Sequence, residues 1–232
     1  MRLLRRPAIG IALLVIPALI VIGLLAYFSW LAAKQRREAM ETMARSLGLN
    51  FFPDKDWSFD ERYPFLGKLC QGDNRYAFNI LDGDYHGYPV QAFDYHYETS
   101  STDSKGNRTT TSHHFSFFVL RLGRQFPELV ICREGWTSKI AQFLGYDDID
   151  FESAEFSRRF LVRSPDKRFA YDVCNGQMIE HLLKHPDLNI EIDRDCLTLF
   201  FQNRLAPEKI RYNLDRLIEL RDLFPAYLFE NR

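Results

Sequence analysis

The chain has 232 residues and a nearly balanced charge, with 30 basic and 31 acidic side chains. Three of the arginines precede a long apolar stretch, so the rest of the chain is mildly acidic. Because a nucleic-acid-binding domain needs a basic face, this composition predicts no nucleic-acid partner.

The apolar stretch runs from Ala8 to Ala33 without a charged residue. As a helix it would measure about 39 Å, and about 20 apolar residues are enough to cross a bilayer. A cleaved signal peptide is the competing interpretation, but its apolar core usually holds only about 7–15 residues. We therefore predict a retained transmembrane anchor over residues 1–33, with the lipid bilayer as its partner through residues 8–33.

A juxtamembrane helix is predicted over residues 34–50, with Gly48 as its C-cap. Its basic residues Lys34, Arg36 and Arg37 suit contact with lipid headgroups at the membrane surface. Arginines before the anchor nearly balance those after it, so the positive-inside rule barely decides the orientation.

The four cysteines lie far apart and form no CxxC motif. Scattered thiols in a domain of this size fit a reducing compartment. They favour a single-pass membrane protein whose soluble domain is cytoplasmic.

Residues 51–232 are predicted to form a soluble α+β domain, with possible lobes at 51–150 and 151–232. Alternation, helical spacing and turn residues predict an antiparallel β-meander followed by a strand–helix–hairpin–helix segment. The predicted strands are 75–81, 88–98, 109–122, 128–134 and 154–164, with a turn at 82–87, and two more strands flank a turn at Arg194-Asp195. The predicted helices are 137–144, two short helices divided at Asn175-Gly176, and 207–224.

The hairpin within Ala92–Phe118 combines aromatic and polar alternation. Phe93, Tyr95 and Tyr97 share one face of the outgoing strand because side chains alternate, and the returning strand should add Phe115 and Phe117. Asp94, His96 and Glu98 then share the opposite face with His114 and Ser116. A register slip of one residue would bring His113 there instead.

Two interpretations of this polar stripe remain open. Asp94, His96, Glu98 and either His113 or His114 could hold a divalent metal through nitrogen and oxygen ligands, which would make the protein a membrane-anchored metal-dependent hydrolase. Alternatively, the stripe is the ordinary polar face of an antiparallel strand. We favour the second interpretation, because the sequence supplies neither a second shell nor a pocket.

No other pattern in the sequence indicates an enzyme. It contains no G-x-S-x-G, no phosphate-binding loop and no dinucleotide motif. His181 and His185 are four residues apart on a predicted helix, but there is no HExxH motif around them. We therefore assign no catalytic residue and no cofactor.

Two segments resemble known proteins. "NILDGDYHGYPVQAFDYHY" resembles uncharacterised bacterial membrane-anchored proteins of a domain of unknown function. The later "FSRRFLVRSPDKRFAYDVCNGQMIEHLLKHPDLNIEIDRDCLTLFF" resembles the end of another uncharacterised bacterial membrane-protein domain family. The resemblance implies a protein of the bacterial inner (plasma) membrane with a cytosol-facing domain, and it brings no established activity or catalytic residue with it.

The sequence as a whole favours a non-enzymatic, membrane-tethered module that binds a partner protein, as an adaptor in envelope maintenance. Loops and tips displayed by a rigid sheet commonly carry binding. The candidate contacts lie on the hairpin tip, residues 100–108, and on the polar stripe beside it: His96, Glu98, Lys105, Arg108 and His114.

Overall fold

The computed structural model describes residues 7–67, 69–133 and 147–230. The chain divides into two compact units, Met1–Thr42 and Met43–Arg232. The predicted helix at 137–144 lies outside the described residues.

Helix α1 spans Pro7–Leu47 and joins the predicted anchor and juxtamembrane helix without a break. The first unit contains this helix up to Thr42, and its last five residues belong to the second unit. Large apolar side chains between Val15 and Trp30 are 46–65% exposed. The helix is long and apolar enough to cross a membrane. It ends at Gly48, whose φ of +71° allows the amide of Leu49 to bond the carbonyl of Ala44 at 2.9 Å, as predicted for a glycine C-cap.

The second unit has the predicted α+β fold, with six antiparallel strands and several short helices. The strands are β1 Asn50–Phe52, β2 Asp73–Tyr85, β3 Tyr88–Thr102, β4 Arg108–Arg133, β5 Phe160–Arg163 and β6 Ile190–Gln202. The helices are α2 Phe59–Arg62, α3 Ala154–Arg159, α4 Lys167–Val173, α5 Gly176–Lys184 and α6 Lys209–Asp222, followed by a 3-10 turn at Ala226–Leu228.

The long strand β4 organises the sheet. Its first half pairs with β3 and its last residues pair with β5, while β6 follows its other edge along most of its length. On the far side of β3 come β2 and then the short edge strand β1. All of these pairings are antiparallel.

One face of the sheet carries an aromatic core. Phe93 of β3 stacks on Phe117 of β4 with ring centroids 5.3 Å apart, and Phe117 in turn contacts Phe200 of β6 at 6.0 Å. Phe59 of α2 and Tyr63, both buried, cover this face. Stacked and edge-on aromatic pairs of this kind add about 0.5–1.5 kcal/mol each beyond the area that they bury.

A predicted break between two strands and a predicted hairpin are absent because β4 and β6 pair along most of their lengths. The predicted strand 109–122 and residues 128–133 of the predicted strand 128–134 form one strand, β4, whose pairing with β6 shifts register between Arg121 and Leu129. Residue 134 lies outside the described residues. The predicted turn at Arg194-Asp195 is also wrong. Arg194, with a φ of +52°, forms an irregularity inside β6, which pairs with β4 on both sides of it.

The predicted turn at 82–87 is shorter in the structure. Strand β2 continues to Tyr85, which pairs with Tyr88 of β3, so only His86 and Gly87 form the turn. Both have positive φ, 54° and 83°, which is the geometry of a tight two-residue hairpin.

The predicted strand 154–164 is also wrong in its first half. Residues 154–159 form α3, because the Ser153 hydroxyl accepts a hydrogen bond from the amide of Phe156 and caps a helical turn. Only Phe160–Arg163 is extended, as β5. The predicted break at Asn175-Gly176 is confirmed, since the Asn175 side chain caps α5.

Candidate functional site

The polar stripe of the hairpin has the register expected from the aromatic alternation. Asp94 lies opposite Ser116, and His96 lies opposite His114. The stripe is not a solvated face, however. Asp94, His96 and Ser116 are only 1%, 5% and 4% exposed, so this face of the sheet is covered.

The Asp94 carboxylate is bonded by side chains from both neighbouring strands. Asn79 lies at a register shift of β2 with a φ of +51°, and its amide donates to Asp94 Oδ2 at 3.0 Å. Ser116 donates to Oδ1 at 3.2 Å and accepts from the backbone amide of Leu205 at 2.9 Å. The segment before α6 is thereby fastened to this face through the serine hydroxyl.

The two histidines of the stripe pack against each other with ring centroids 4.9 Å apart. His96 also stacks on Tyr76 at 4.6 Å, and its Nε2 lies 3.4 Å from a carboxylate oxygen of Glu98. Both Nδ1 atoms are buried without a hydrogen-bond partner among the described residues. Burial first, and then the charges of Arg204 and His96, lower the pKa of His114.

The structure brings His96, Glu98 and His114 into contact, but it does not arrange them around a metal ion. Within the described residues, no group of three or more His, Cys, Asp and Glu side chains is arranged to hold a metal ion. His113 lies on the opposite face, where it stacks on Tyr97 at 4.7 Å and bonds the Thr99 hydroxyl at 2.8 Å. The Asp94 carboxylate is already used by Asn79 and Ser116. The metal-dependent hydrolase interpretation therefore has no geometric support in this region.

The second histidine pair lies at the end of α5, with His181 on the helix and His185 as its C-cap residue. The rings of His181 and His185 are 4.5 Å apart, and burial followed by the charges of His185 and Arg216 lowers the pKa of His181. A fixed cation nearby is unfavourable for a cationic ligand.

Beyond the stripe the hairpin continues as an exposed ribbon, residues 99–112, here called the hairpin arm. Its loop is closed by Asp103, whose carboxylate accepts from the amides of Lys105 and Asn107, both at 2.8 Å. The Ser100 hydroxyl accepts from Arg108 at 3.1 Å across the two strands. The arm therefore has a defined shape of its own and presents Lys105 and Arg108 on a Ser/Thr-rich surface.

The predicted partner contacts fall into two groups. Lys105 and Arg108 are exposed on the hairpin arm, while Glu98 and His114 are half-buried at its base. His96 is 5% exposed and stacked on Tyr76, so it offers little surface to a partner, and its assignment as a contact stays a prediction.

The predicted membrane-surface residues lie on α1. Lys34 and Arg37 are exposed and Arg36 is half-buried. The Lys34 ammonium lies 3.9 Å from Glu38 and 5.6 Å from the centre of the Trp30 ring. This arrangement suits a helix whose aromatic and basic residues follow an apolar span.

A cleft that the sequence did not indicate lies beside strand β1. Its volume is about 630 Å³. The side chains that line it are Phe52, Pro53, Asp54, Lys55, Asp56, Trp57, Ser58, Arg62, Ile80, Asp82 and Gln91. The available signal was composition, since Lys, Asp and Trp alternate in "FFPDKDWSF" with no apolar periodicity to assign them to the core.

Comparison with known proteins supports the fold and does not identify an activity. The described architecture is that of an α+β protein with one N-terminal helix able to cross a membrane. A similar solved structure is the crystal structure of the mycobacterial trehalose monomycolate transport factor A, TtfA, with a TM-score of 0.58. The match covers 83% of this chain and 96% of that one at 14% identity, so it shows the fold alone.

No protein-family model matches the sequence, and no curated protein matches it. The mycobacterial structure supports the resemblance to uncharacterised bacterial membrane-anchored proteins only at the level of the α+β fold. The particular family remains a prediction.

Proposed function

We propose that this protein is a single-pass, membrane-tethered module without enzymatic activity that binds a partner protein through the hairpin arm, as an adaptor in envelope maintenance. The observation that carries the proposal is the arm itself. It extends from a well-packed sheet, it is exposed from residue 99 to residue 112, and its own hydrogen bonds hold its shape.

A preformed arm is suited to recognition because little conformational entropy is lost when a partner binds it. Lys105 and Arg108 offer two cations beside one acid, Asp103, so an acidic surface on the partner is complementary. The hydroxyls of Thr99, Ser100 and their neighbours can exchange hydrogen bonds with that surface at the rim.

The fold likeness to a protein named as a transport factor is compatible with an accessory role of this kind. On this proposal the chain holds its sheet domain near a membrane assembly through α1, with Lys34, Arg36 and Arg37 at the lipid headgroups. Removing the three charges should weaken binding of an α1 peptide to vesicles that contain anionic lipid, by about 1 kcal/mol per charge.

The adaptor role can be tested by photo-crosslinking in cells. A photoreactive amino acid replaces Ser101 on the arm in the full-length protein, and a matched control replaces Glu219, which is exposed on α6. We expect one crosslinked protein band specific to position 101. The double substitution Lys105→Glu and Arg108→Glu should remove that band without lowering the amount of protein, because both residues lie outside the core.

Identical crosslinking patterns at positions 101 and 219 would contradict the proposal, as would a band at position 101 that survives both charge reversals. The sensitivity to Lys105 and Arg108 distinguishes specific recognition from chance proximity in the membrane.

We further propose that the sheet domain faces the cytoplasm. All four cysteines lie in the described part of the chain and none is joined in a disulfide bond, which suits a reducing compartment. A compartment-sensitive reporter fused after Arg232 should be active only in its cytoplasmic form. An active periplasmic reporter would reverse the orientation and move the search for partners to the other side of the membrane.

A further inference from the structure

We propose that the cleft beside β1 binds a neutral saccharide of one or two hexose units, either free or as the headgroup of a glycolipid. This site is separate from the hairpin arm, so the proposal does not depend on the adaptor role. The volume of about 630 Å³ lies within the range of about 300–1,000 Å³ that is usual for small-ligand sites.

The local chain path creates the cleft. Strand β1 pairs with β2 up to Phe52, opposite Ile80. Just beyond it the Pro53 carbonyl accepts from the Asn79 amide of β2 at 3.4 Å, and Asp56 then pairs with Ala77. The cleft lies between this segment, α2 and parts of strands β2 and β3.

Two exposed aromatic rings line the opening. Trp57 is 54% exposed and Phe52 is 52% exposed. The Trp57 ring is held in place by Tyr76 at 4.7 Å and by the Lys55 ammonium at 5.2 Å. A positioned indole that is more than half exposed can serve as a platform for the C–H face of a pyranose ring.

The polar lining is rich in planar hydrogen-bonding groups that are fixed by their neighbours. The Gln91 amide donates to Asp82 at 2.7 Å and accepts from the Tyr63 hydroxyl. Asp56 accepts from the amide of Ser58 at 3.1 Å and forms an ion pair with Arg62. Carboxylates, an amide and a guanidinium around an aromatic ring can exchange bonds with several hydroxyls of one sugar.

The charge of the lining selects a neutral ligand. Three carboxylates, of Asp54, Asp56 and Asp82, outnumber the cations of Lys55 and Arg62. The Arg62 guanidinium is paired with Asp56, and the Lys55 ammonium lies 4.0 Å from the centre of the Tyr76 ring. A phosphate or carboxylate ligand would meet net negative charge, whereas the hydroxyls of a saccharide can donate to these same oxygens.

The test uses the full-length chain in phospholipid nanodiscs, since alkyl-maltoside detergents carry a disaccharide that would compete. Calorimetric titration with maltose, lactose and trehalose measures the free-sugar form. A second experiment adds a glucosyl-diacylglycerol to the nanodiscs. Mass spectrometry then measures how much of this glycolipid remains with the protein after purification.

We expect binding of at least one of the free sugars or of the glycolipid. This binding should be at least tenfold weaker for Trp57→Ala and at least threefold weaker for Asp82→Asn. Trp57→Tyr should keep most of the binding because it keeps an aromatic platform. Tyr171→Ala is the matched control, since Tyr171 is 50% exposed and does not line the cleft. Circular dichroism confirms that each variant is folded.

Binding of the sugars alone identifies a free saccharide, and retention of the glycolipid alone identifies a headgroup. No binding of the free sugars and no retention of the glycolipid would overturn the proposal. Binding that is unchanged in Trp57→Ala, or tighter binding of inositol phosphate than of the neutral sugars, would also overturn it. The crosslink at position 101 is measured independently, so each proposal can fail without the other.

Discussion

The Ser116 hydroxyl is the most informative single group on the covered polar face. It donates to Asp94 at 3.2 Å and accepts from the Leu205 amide at 2.9 Å. Replacing Ser116 with Ala removes a hydrogen bond to a charged group, worth about 1.5–3 kcal/mol, and leaves an amide unsatisfied at a cost of about 1–3 kcal/mol. Asp94 keeps its bond from Asn79, and Leu205 is only partly buried, so we expect a loss of about 3 kcal/mol in the free energy of unfolding.

Pulse proteolysis in urea on the full-length chain measures this loss. Ser112→Ala is the matched control, because Ser112 lies on the same strand but is exposed on the hairpin arm, and its loss should cost less than about 0.5 kcal/mol. The double variant with Asn79→Ala should depart from additivity by about 0.5–3 kcal/mol, since both groups bond Asp94. Equal stabilities for Ser116→Ala and Ser112→Ala would refute the proposed role of the hydroxyl.

Three further predictions concern pH, backbone conformation and helix capping. The pKa of His114 is lowered from 6.5 in the folded state, so the neutral side chain favours the folded state. This contribution to the free energy of unfolding is fully present above pH 6.5 and is lost as the pH falls through the folded pKa. His114→Gln should therefore flatten this part of a stability–pH curve. Gly72→Ala should cost more than about 2 kcal/mol, because φ is +65° and the new Cβ would clash with the Glu98 carbonyl oxygen. At Gly106, which has φ +82° and no atom within 4 Å of a new Cβ, the same change should cost about 1 kcal/mol in urea unfolding. Asn175→Ala should cost about 1–2 kcal/mol in the same assay, and a loss under 0.3 kcal/mol would contradict its role as the cap that accepts from two amides of α5.

The favoured register of the central hairpin followed from its aromatic side chains. Placing Phe93 and Tyr95 on one face with Phe115 and Phe117 gives this register, whereas a slip of one residue would move Phe115 and Phe117 to the opposite face. The burial of the opposite face could not be predicted, since its cover includes Leu205, which is 89 residues from Ser116 in sequence. Alternation shows that a face is polar, but it does not show what packs against that face.

The predicted turn at Arg194-Asp195 is wrong because local polarity was interpreted as a turn, and the predicted strand at 154–159 is wrong for a different reason. Arg194 and Asp195 form a polar break in an apolar run, yet β4 offers a long partner on both sides of it, and one residue with positive φ absorbs the irregularity. Helix α3 has only six residues, which is too short for helical periodicity to separate it from β5. The cap at Ser153 was its one local signal.

Because the histidine-containing stripe is buried, the interpretation of mutations in this protein changes. Substitutions of Asp94, His96 or Ser116 should reduce the amount of folded protein, since each removes a packed or bonded group from the covered face. Substitutions on the hairpin arm or at Trp57 should leave that amount unchanged and alter binding alone. The amount of folded protein should therefore be measured together with crosslinking and sugar binding. Together these measurements separate the residues that stabilise the domain from the hairpin arm and the Trp57 cleft, which we propose bind other molecules.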